Sequence, residues 1–64
     1  MTTEKKLGNY INEKGLKIKY VAEKAGIPYQ RLQAALKETR KLRTDEFLAA
    51  CAVLEADPYL FMAD

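Results

Sequence analysis

Residues 21–40, VAEKAGIPYQRLQAALKETR, predict two short helices joined by a tight turn. Val21, Ala22 and Ala25 recur at the spacing that gives a helix one small apolar face. Gly26 follows at the point where the chain must reverse, and a residue that tolerates a positive φ is needed there. The stretch therefore predicts a helix that ends at this glycine and a chain reversal directly behind it.

A second helix begins immediately after the turn. Ile27 can fill the corner, Pro28 suits a helix start, and Leu32, Ala35 and Leu36 form the apolar face. Helices joined by so short a glycine-bearing turn cross steeply, which leaves a polar face of the second helix free. That face consists of Tyr29, Gln30, Gln33 and Lys37. The arrangement is typical of a helix-turn-helix that reads DNA.

The remaining sequence is also helical in pattern, so we expect an all-α, compact five-helix fold and one domain over residues 1–64. The first predicted helix is capped by Thr2 or Thr3 and ended by Gly15, and the second and third cover 17–25 and 29–37. The fourth is capped by Thr44, and the fifth runs from Tyr59 to about Ala63. Asp57 and Pro58 suit the start of the fifth helix. The expected inner faces are Leu7, Tyr10 and Ile11 in the first helix, and Phe47, Leu48, Cys51 and Leu54 in the fourth.

The net charge of +2 conceals an uneven distribution along the chain. All eleven Lys and Arg residues lie at or before Arg43 with four acids, which gives that part a net charge of +7. From Thr44 onward there are five acids and no cation, hence −5. Such a split suggests that one end meets a polyanion while the other faces away from it.

Composition disfavours several classes of function. Sixty-four residues form one small core, and such a chain buries only about 60% of its unfolded surface. The single cysteine, Cys51, is expected in the core, and without histidine or a second cysteine no zinc site is predicted. No carboxylate pair suggests catalysis, so we expect neither an enzyme nor a cofactor nor a small-molecule ligand. No apolar run is long enough to span a membrane and no signal peptide is evident, so we expect a cytoplasmic protein.

The segment from Leu16 to about Pro58 resembles the lambda-repressor-like family of helix-turn-helix proteins, the class of phage Cro proteins and repressors. The residues that carry the resemblance are Ala22, Gly26, Ile27, Leu32, Phe47, Leu48, Cys51 and Leu54, which fall at the family's core spacing. The chain departs from the pattern at four positions. Ile18 replaces a phosphate-binding glutamine, Lys17 and Pro28 replace polar helix caps, and Glu38 replaces the glycine that closes the recognition helix.

The resemblance implies double-stranded operator DNA as the partner, with the 29–37 helix in the major groove. Glutamine amides pair with adenine there, so Gln30 and Gln33 are the main base-reading candidates. Tyr29 can contact a phosphate or thymine methyl, or simply cover the core, while Ala34 and Lys37 share the outward face. The implied phosphate contacts are Lys17 and Lys19 before this helix and Arg40 and Lys41 after it. Arg31 is expected either to reach phosphate or to pair with an acid such as Glu38.

Residues 59–62 are more apolar than so small a core requires, and we expect one or two of them to turn inward. The others can form a dimer surface together with residues off the core face of the fourth helix, Ala49, Ala52, Val53 and Ala56, or they can fold back over the first helix. The resemblance favours a symmetric homodimer that is weak in solution and stronger on DNA. Tyr59, Met62 and Val53 are the candidate interface residues. The function expected is that of a Cro-like repressor from a phage or mobile element. The alternatives are a helical protein-interaction module or an antitoxin that keeps a helix-turn-helix scaffold.

Overall fold

A computed structural model describes residues 2–62, and within that range the chain forms five helices and no strand. They are α1 (Thr3–Glu13), α2 (Ile18–Ala25), α3 (Tyr29–Leu36), α4 (Thr44–Leu54) and α5 (Tyr59–Met62). The predicted all-α class and number of helices are confirmed. The predicted end of the last helix at Ala63 lies outside the described residues.

The helices pack around α2, which lies against both α3 and α4, while α1 packs against α3 and α5. Val21 and Ala22 of α2 are buried, and their small size allows both neighbours to approach closely. The buried core consists of Leu7, Ile11, Val21, Ala22, Ile27, Leu32, Ala35, Phe47, Ala50, Cys51 and Phe61. No polar or charged residue within positions 2–62 is buried, so the apolar side chains supply the interior of this part of the chain.

The short α5 is held to the rest of the molecule by one aromatic side chain. Phe61 is buried, and its ring meets Tyr10 edge-on at a centroid distance of 5.3 Å and Phe47 at 6.1 Å. Edge-to-face pairs of this kind add to the stabilisation that comes from burying the rings. The prediction that one or two of residues 59–62 turn inward is confirmed, with Phe61 as the inward residue.

Two predicted helix caps are confirmed. The hydroxyl oxygen of Thr2 accepts a hydrogen bond from the Lys5 backbone N–H at 3.1 Å, at the start of α1. The Oδ1 atom of Asp57 accepts one from the Tyr59 backbone N–H at 3.0 Å, at the start of α5. Each bond satisfies a helix-terminal N–H that has no partner within its helix.

The predicted cap of α4 was wrong, because the helix begins at Thr44 itself and Arg43 is the capping residue. The physical reason is the carboxylate of Glu46, whose Oε1 atom accepts a hydrogen bond from the Arg43 N–H at 3.1 Å. This reach back from the third helical residue is the Glu half of a capping box.

The inner face predicted for α4 was wrong at Leu48, which is 48% exposed. Ala50 is buried in its place, next to Phe47 and Cys51. Nearly every residue of α4 after its first turn is apolar, so spacing alone could not select the face that the neighbouring helices cover.

The four longer helices end in the same way, with a left-handed residue followed by a hydrogen bond back into the last turn. The left-handed residues are Gly15 (φ 71°), Gly26 (φ 75°), Glu38 (φ 64°) and Glu55 (φ 54°). The returning bonds join Leu16 N to Ile11 O, Ile27 N to Ala22 O, Thr39 N to Ala34 O, and Ala56 N to Cys51 O. This is the Schellman pattern, in which glycine is the preferred left-handed residue. The two glutamates therefore occupy positions that strain an L-residue.

Replacing Glu55 by glycine should stabilise the protein. The variant Glu55→Gly relieves the strain of the left-handed backbone, but it also makes the unfolded chain more flexible, which offsets part of this effect. The free energy of unfolding should therefore rise by a net of about 0.5–1 kcal/mol. The measurement is the urea unfolding midpoint at unchanged m-value. Glu55→Ala is the matched control, because it removes the same charge but keeps the Cβ atom; an equal effect of both variants would locate the cause in the charge.

Candidate functional site

The turn between α2 and α3 sets the position of the candidate site. Gly26 is left-handed, its N–H bonds the Glu23 carbonyl at 3.3 Å, and the Ile27 N–H bonds the Ala22 carbonyl at 2.9 Å. Ile27 is buried, as predicted for a residue that fills the corner. With Pro28 extended at the N-cap, α3 begins only two residues after the glycine.

The outward face of α3 is polar, as predicted. Leu32 and Ala35 are buried against the core. With about 3.6 residues per turn, Gln30 and Lys37 lie on the opposite side of the helix, and both are exposed. Gln33 and Ala34 border them and are half-buried. Beyond the end of α3, the N–H and the hydroxyl of Thr39 both donate to the Ala34 carbonyl, at 3.0 and 2.9 Å, and so satisfy a carbonyl of the last turn.

One flank of α3 opens onto a groove that also contains the start of α2. The groove has a volume of about 390 Å³ and is lined by Gly8, Ile11, Asn12, Leu16, Lys17, Ile18, Lys19 and Tyr29. The structure therefore brings Tyr29 together with Lys17 and Lys19, three residues predicted to contact DNA. Tyr29 is 41% exposed, so its ring lies at the rim and does not serve as part of the core.

The two helix N-termini at this groove lack the side chains that usually neutralise a helix start. Neither α2 nor α3 has a side-chain cap, and neither carries an acid in its first turn. By contrast, α1 and α4 both have acids in their first turns. Uncapped backbone N–H groups and the positive end of a helix dipole attract anions, and none of the residues that line the groove is acidic. The groove is therefore suited to a phosphate group.

Arg31 occupies the other flank of α3 and pairs with Glu46 of α4. The Nε atom of Arg31 lies 2.7 Å from the Oε2 atom of Glu46. The suggested partner Glu38 was wrong, because α3 ends at Leu36 and Glu38 lies beyond it in the left-handed conformation. The carboxylate of Glu38 instead accepts a hydrogen bond from the Thr2 hydroxyl. Phosphate binding by Arg31 stays a prediction.

The basic connector that follows α3 is attached to the start of α1. The Leu42 N–H donates to Oε2 of Glu4 at 3.2 Å, and Glu38 accepts from Thr2. Arg40 and Lys41 are exposed within this segment. The predicted phosphate contacts are thus separated: Lys17 and Lys19 lie beside the first residue of α3, and Arg40 and Lys41 follow its last turn.

The candidate dimer residues are not equally accessible. Tyr59 and Met62 are exposed, whereas Val53 is half-buried and packs against the core. Leu60, which belongs to the predicted 59–62 segment, is exposed as well, and so is Leu48, which was not predicted as an interface residue. Leu48 and Met62 line an apolar groove with Thr3, Glu4, Leu42, Thr44 and Phe47. The exposed apolar surface at the α4–α5 end therefore differs in membership from the predicted one.

The remaining chemistry-bearing groups add no second site to residues 2–62. Cys51 is a free, buried thiol, and burial, followed by the nearby charge of Asp57, raises its pKa above the ordinary value. No group of three or more potential ligands is placed to hold a metal within this range. Nor does any helix in the described part of the chain have the length and apolar character needed to cross a membrane.

Sequence analysis missed the two roles of Glu46. Its spacing of three from Arg43 is a local pattern that could have located the start of α4. Its pairing with Arg31 joins two different helices and leaves no local pattern.

No protein-family model, curated protein or solved structure matches the chain. Its function is therefore inferred from its own residues.

Proposed function

We propose that this chain is a sequence-specific DNA-binding transcriptional regulator, a Cro-like repressor that occupies its operator through α3. The observation that carries the proposal is the polar outward face of α3, which has lysines beside its first residue and cations just beyond its last turn. In this proposal α2 and α3 form a lambda-repressor-like helix-turn-helix, which the left-handed turn at Gly26 supports. Repression follows from occupancy of the operator.

Base reading is assigned to the outward face of α3. An α-helix fits the major groove, where each base pair presents a distinct set of donors and acceptors. The exposed amide of Gln30 and the half-buried amide of Gln33 can each pair with adenine. Ala34 is small enough to approach a thymine methyl group. Tyr29 and Lys37 stand at opposite ends of this face and reach bases or the adjoining backbone.

Phosphate binding is assigned to the two ends of α3. At its start, Lys17 and Lys19 share a groove with the uncapped N-termini of α2 and α3. Beyond its last turn, Arg40 and Lys41 are exposed on the connector. Contacts at both ends would fix the position of the helix along the groove while carrying no sequence information themselves.

Removal of a base-reading amide should reduce specificity. Gln30→Ala or Gln33→Ala should cost about 1–3 kcal/mol at a site selected from a random DNA pool, and little on random duplex. The measurement is fluorescence anisotropy with both duplexes for each variant. Equal reductions in affinity on the two duplexes would show that these amides do not read sequence.

Removal of the connector cations should weaken binding to every sequence. The double variant Arg40→Ala/Lys41→Ala should lower the slope of log affinity against log salt by roughly one unit for each phosphate that the protein no longer neutralises. A salt titration on random duplex measures this slope. Lys24→Ala is a single-charge control, because this side chain lies over the Tyr20 ring at 5.9 Å, at the far end of α2 from the groove. A salt slope equal to that of the parent would show that Arg40 and Lys41 do not contact DNA phosphates.

A homodimer through the α4–α5 end would place two reading helices on one face of the duplex. Two α3 helices about 34 Å apart would match one turn of DNA and require an inverted-repeat operator. Exposed Leu48, Tyr59, Leu60 and Met62 are the apolar side chains available for the contact. Such a small surface is consistent with weak association in solution that strengthens on DNA.

A charge placed in this surface should disrupt cooperative binding. Met62→Glu should weaken binding to a full inverted repeat while leaving helicity and affinity for a half-site unchanged, because Met62 is 56% exposed and contributes little to the core. Circular dichroism and titrations of full and half sites separate these effects. Parent-like affinity for the full site would indicate a monomer or another dimer surface.

A second candidate function is protein binding, either as a helical interaction module or as an antitoxin that also binds DNA. The exposed apolar Leu48, Leu60 and Met62 favour it, together with Ile18 and Glu38 at positions where the resembled family carries glutamine and glycine. Affinity for random duplex at low salt separates the cases. A pure protein-binding module should show almost none, whereas a repressor or an antitoxin should bind.

A further inference from the structure

The Arg31–Glu46 pair is made through one atom of the guanidinium, Nε. The contact uses Nε of Arg31, which is buried and does not align as a hydrogen-bond donor, and lies 2.7 Å from the carboxylate. The Arg31 side chain is nevertheless 30% exposed, and neither Nη atom is among the buried atoms that lack a hydrogen-bond partner, which leaves the Nη end as its accessible polar part. A guanidinium has five N–H donors in a planar fork, and four of them belong to the Nη groups.

Glu46 is itself held from the other side. Its Oε2 atom faces Arg31, and its Oε1 atom accepts the Arg43 backbone N–H at 3.1 Å. Only 13% of its side chain is exposed. Because both carboxylate oxygens are engaged and one of them is tied to the backbone, Glu46 forms a fixed support for the guanidinium.

Arg31 lies on the flank of α3 that is opposite to Tyr29. Two residues along a helix correspond to a rotation of about 200°. Tyr29 faces the groove that contains Lys17 and Lys19, whereas Arg31 faces the start of α4. A helix in the major groove has a phosphate backbone on each side. The cations at the start of α2 would approach one backbone, and Arg31 is placed to approach the other.

We propose that Glu46 is a positioning residue that orients Arg31 so that its Nη fork binds a DNA phosphate. This inference rests on the proposed DNA-binding function. A guanidinium fork matches two phosphate oxygens, and a side chain that is already ordered loses less entropy on binding. The roles suggested for Arg31, an ion pair with an acid and a phosphate contact, are then compatible, since the pair uses Nε and the contact uses Nη.

The sign of one substitution tests the proposal. Glu46→Gln removes a negative charge, which by Coulomb attraction alone should strengthen binding to DNA. If Glu46 orients Arg31, the variant should instead bind about threefold to tenfold more weakly. Asp45→Asn is the matched control, because it removes the same charge from the same helix turn at an exposed position. It should leave affinity unchanged or raise it.

The experiment uses a labelled random-sequence duplex of about two helical turns, titrated by anisotropy at several salt concentrations. Arg31→Met should weaken binding and lower the salt slope by about one unit. In that background, Glu46→Gln should cause no further weakening. Arg31→Lys keeps the charge but lacks the fork, so it should also bind more weakly than the parent.

Several results would overturn the proposal. Tighter binding by Glu46→Gln would mean that Glu46 withholds Arg31 from DNA, and unchanged binding would mean that Glu46 does not orient Arg31. A weakening that persists with Arg31→Met would place the effect of Glu46 elsewhere in α4. Parent-like affinity of Arg31→Lys would show that a point charge suffices for binding. If circular dichroism shows that Glu46→Gln unfolds, the affinity of Arg31→Lys still tests the proposal, because this variant leaves Glu46 in place. A parent that binds no duplex would refute DNA binding itself, whereas a parent that binds and a Glu46→Gln variant that matches it would refute only the role of Glu46.

Discussion

The reversal at Gly26 is the constraint on which the rest of the structure depends. Its left-handed backbone ends α2, directs Ile27 into the core and allows α3 to begin two residues later. A turn this short leaves little freedom in the angle between α2 and α3. Because α2 also packs against α4, the same turn determines which side of α3 is covered and which side is free.

Charge is distributed so that the free side of α3 is favourable to a polyanion. Carboxylates are engaged elsewhere: Glu4 binds the Leu42 N–H, Glu38 binds Thr2, and Glu46 binds the start of α4. The starts of α2 and α3 have no acid and no side-chain cap. Acids near helix N-termini stabilise helices, so their absence gives up some local stability. The same absence leaves two positive helix ends beside Lys17 and Lys19.

The α4–α5 end combines packing with exposed apolar surface. Phe61, the buried residue of α5, attaches this helix through its contacts with Tyr10 and Phe47. The other residues of α5 add little burial, and Leu48 of α4 is exposed near them at a groove shared with Met62. A chain this small already buries a low fraction of its surface, so uncovered apolar side chains reduce the stability it gains from its core.

Local chemistry in the sequence was sufficient to predict most of the helices. Thr2 and Asp57 were identified as caps because their oxygens can accept from nearby N–H groups, and Gly26 because glycine tolerates a positive φ. The polar face of α3, with Gln30 and Lys37 exposed, followed from helical spacing against Leu32 and Ala35. These features depend on residues within about one turn of each other, which a sequence displays directly.

Only the tertiary structure decided features that depend on which helices meet. The burial of Ala50 and the exposure of Leu48 follow from where α2 lies against α4, and an evenly apolar helix contains no information on that choice. The pairing of Arg31 with Glu46, and not with Glu38, follows from the approach of α4 to α3 after the intervening chain reverses. Two left-handed glutamates, Glu38 and Glu55, show the same limit, because the surrounding packing imposes a backbone that their own preference disfavours.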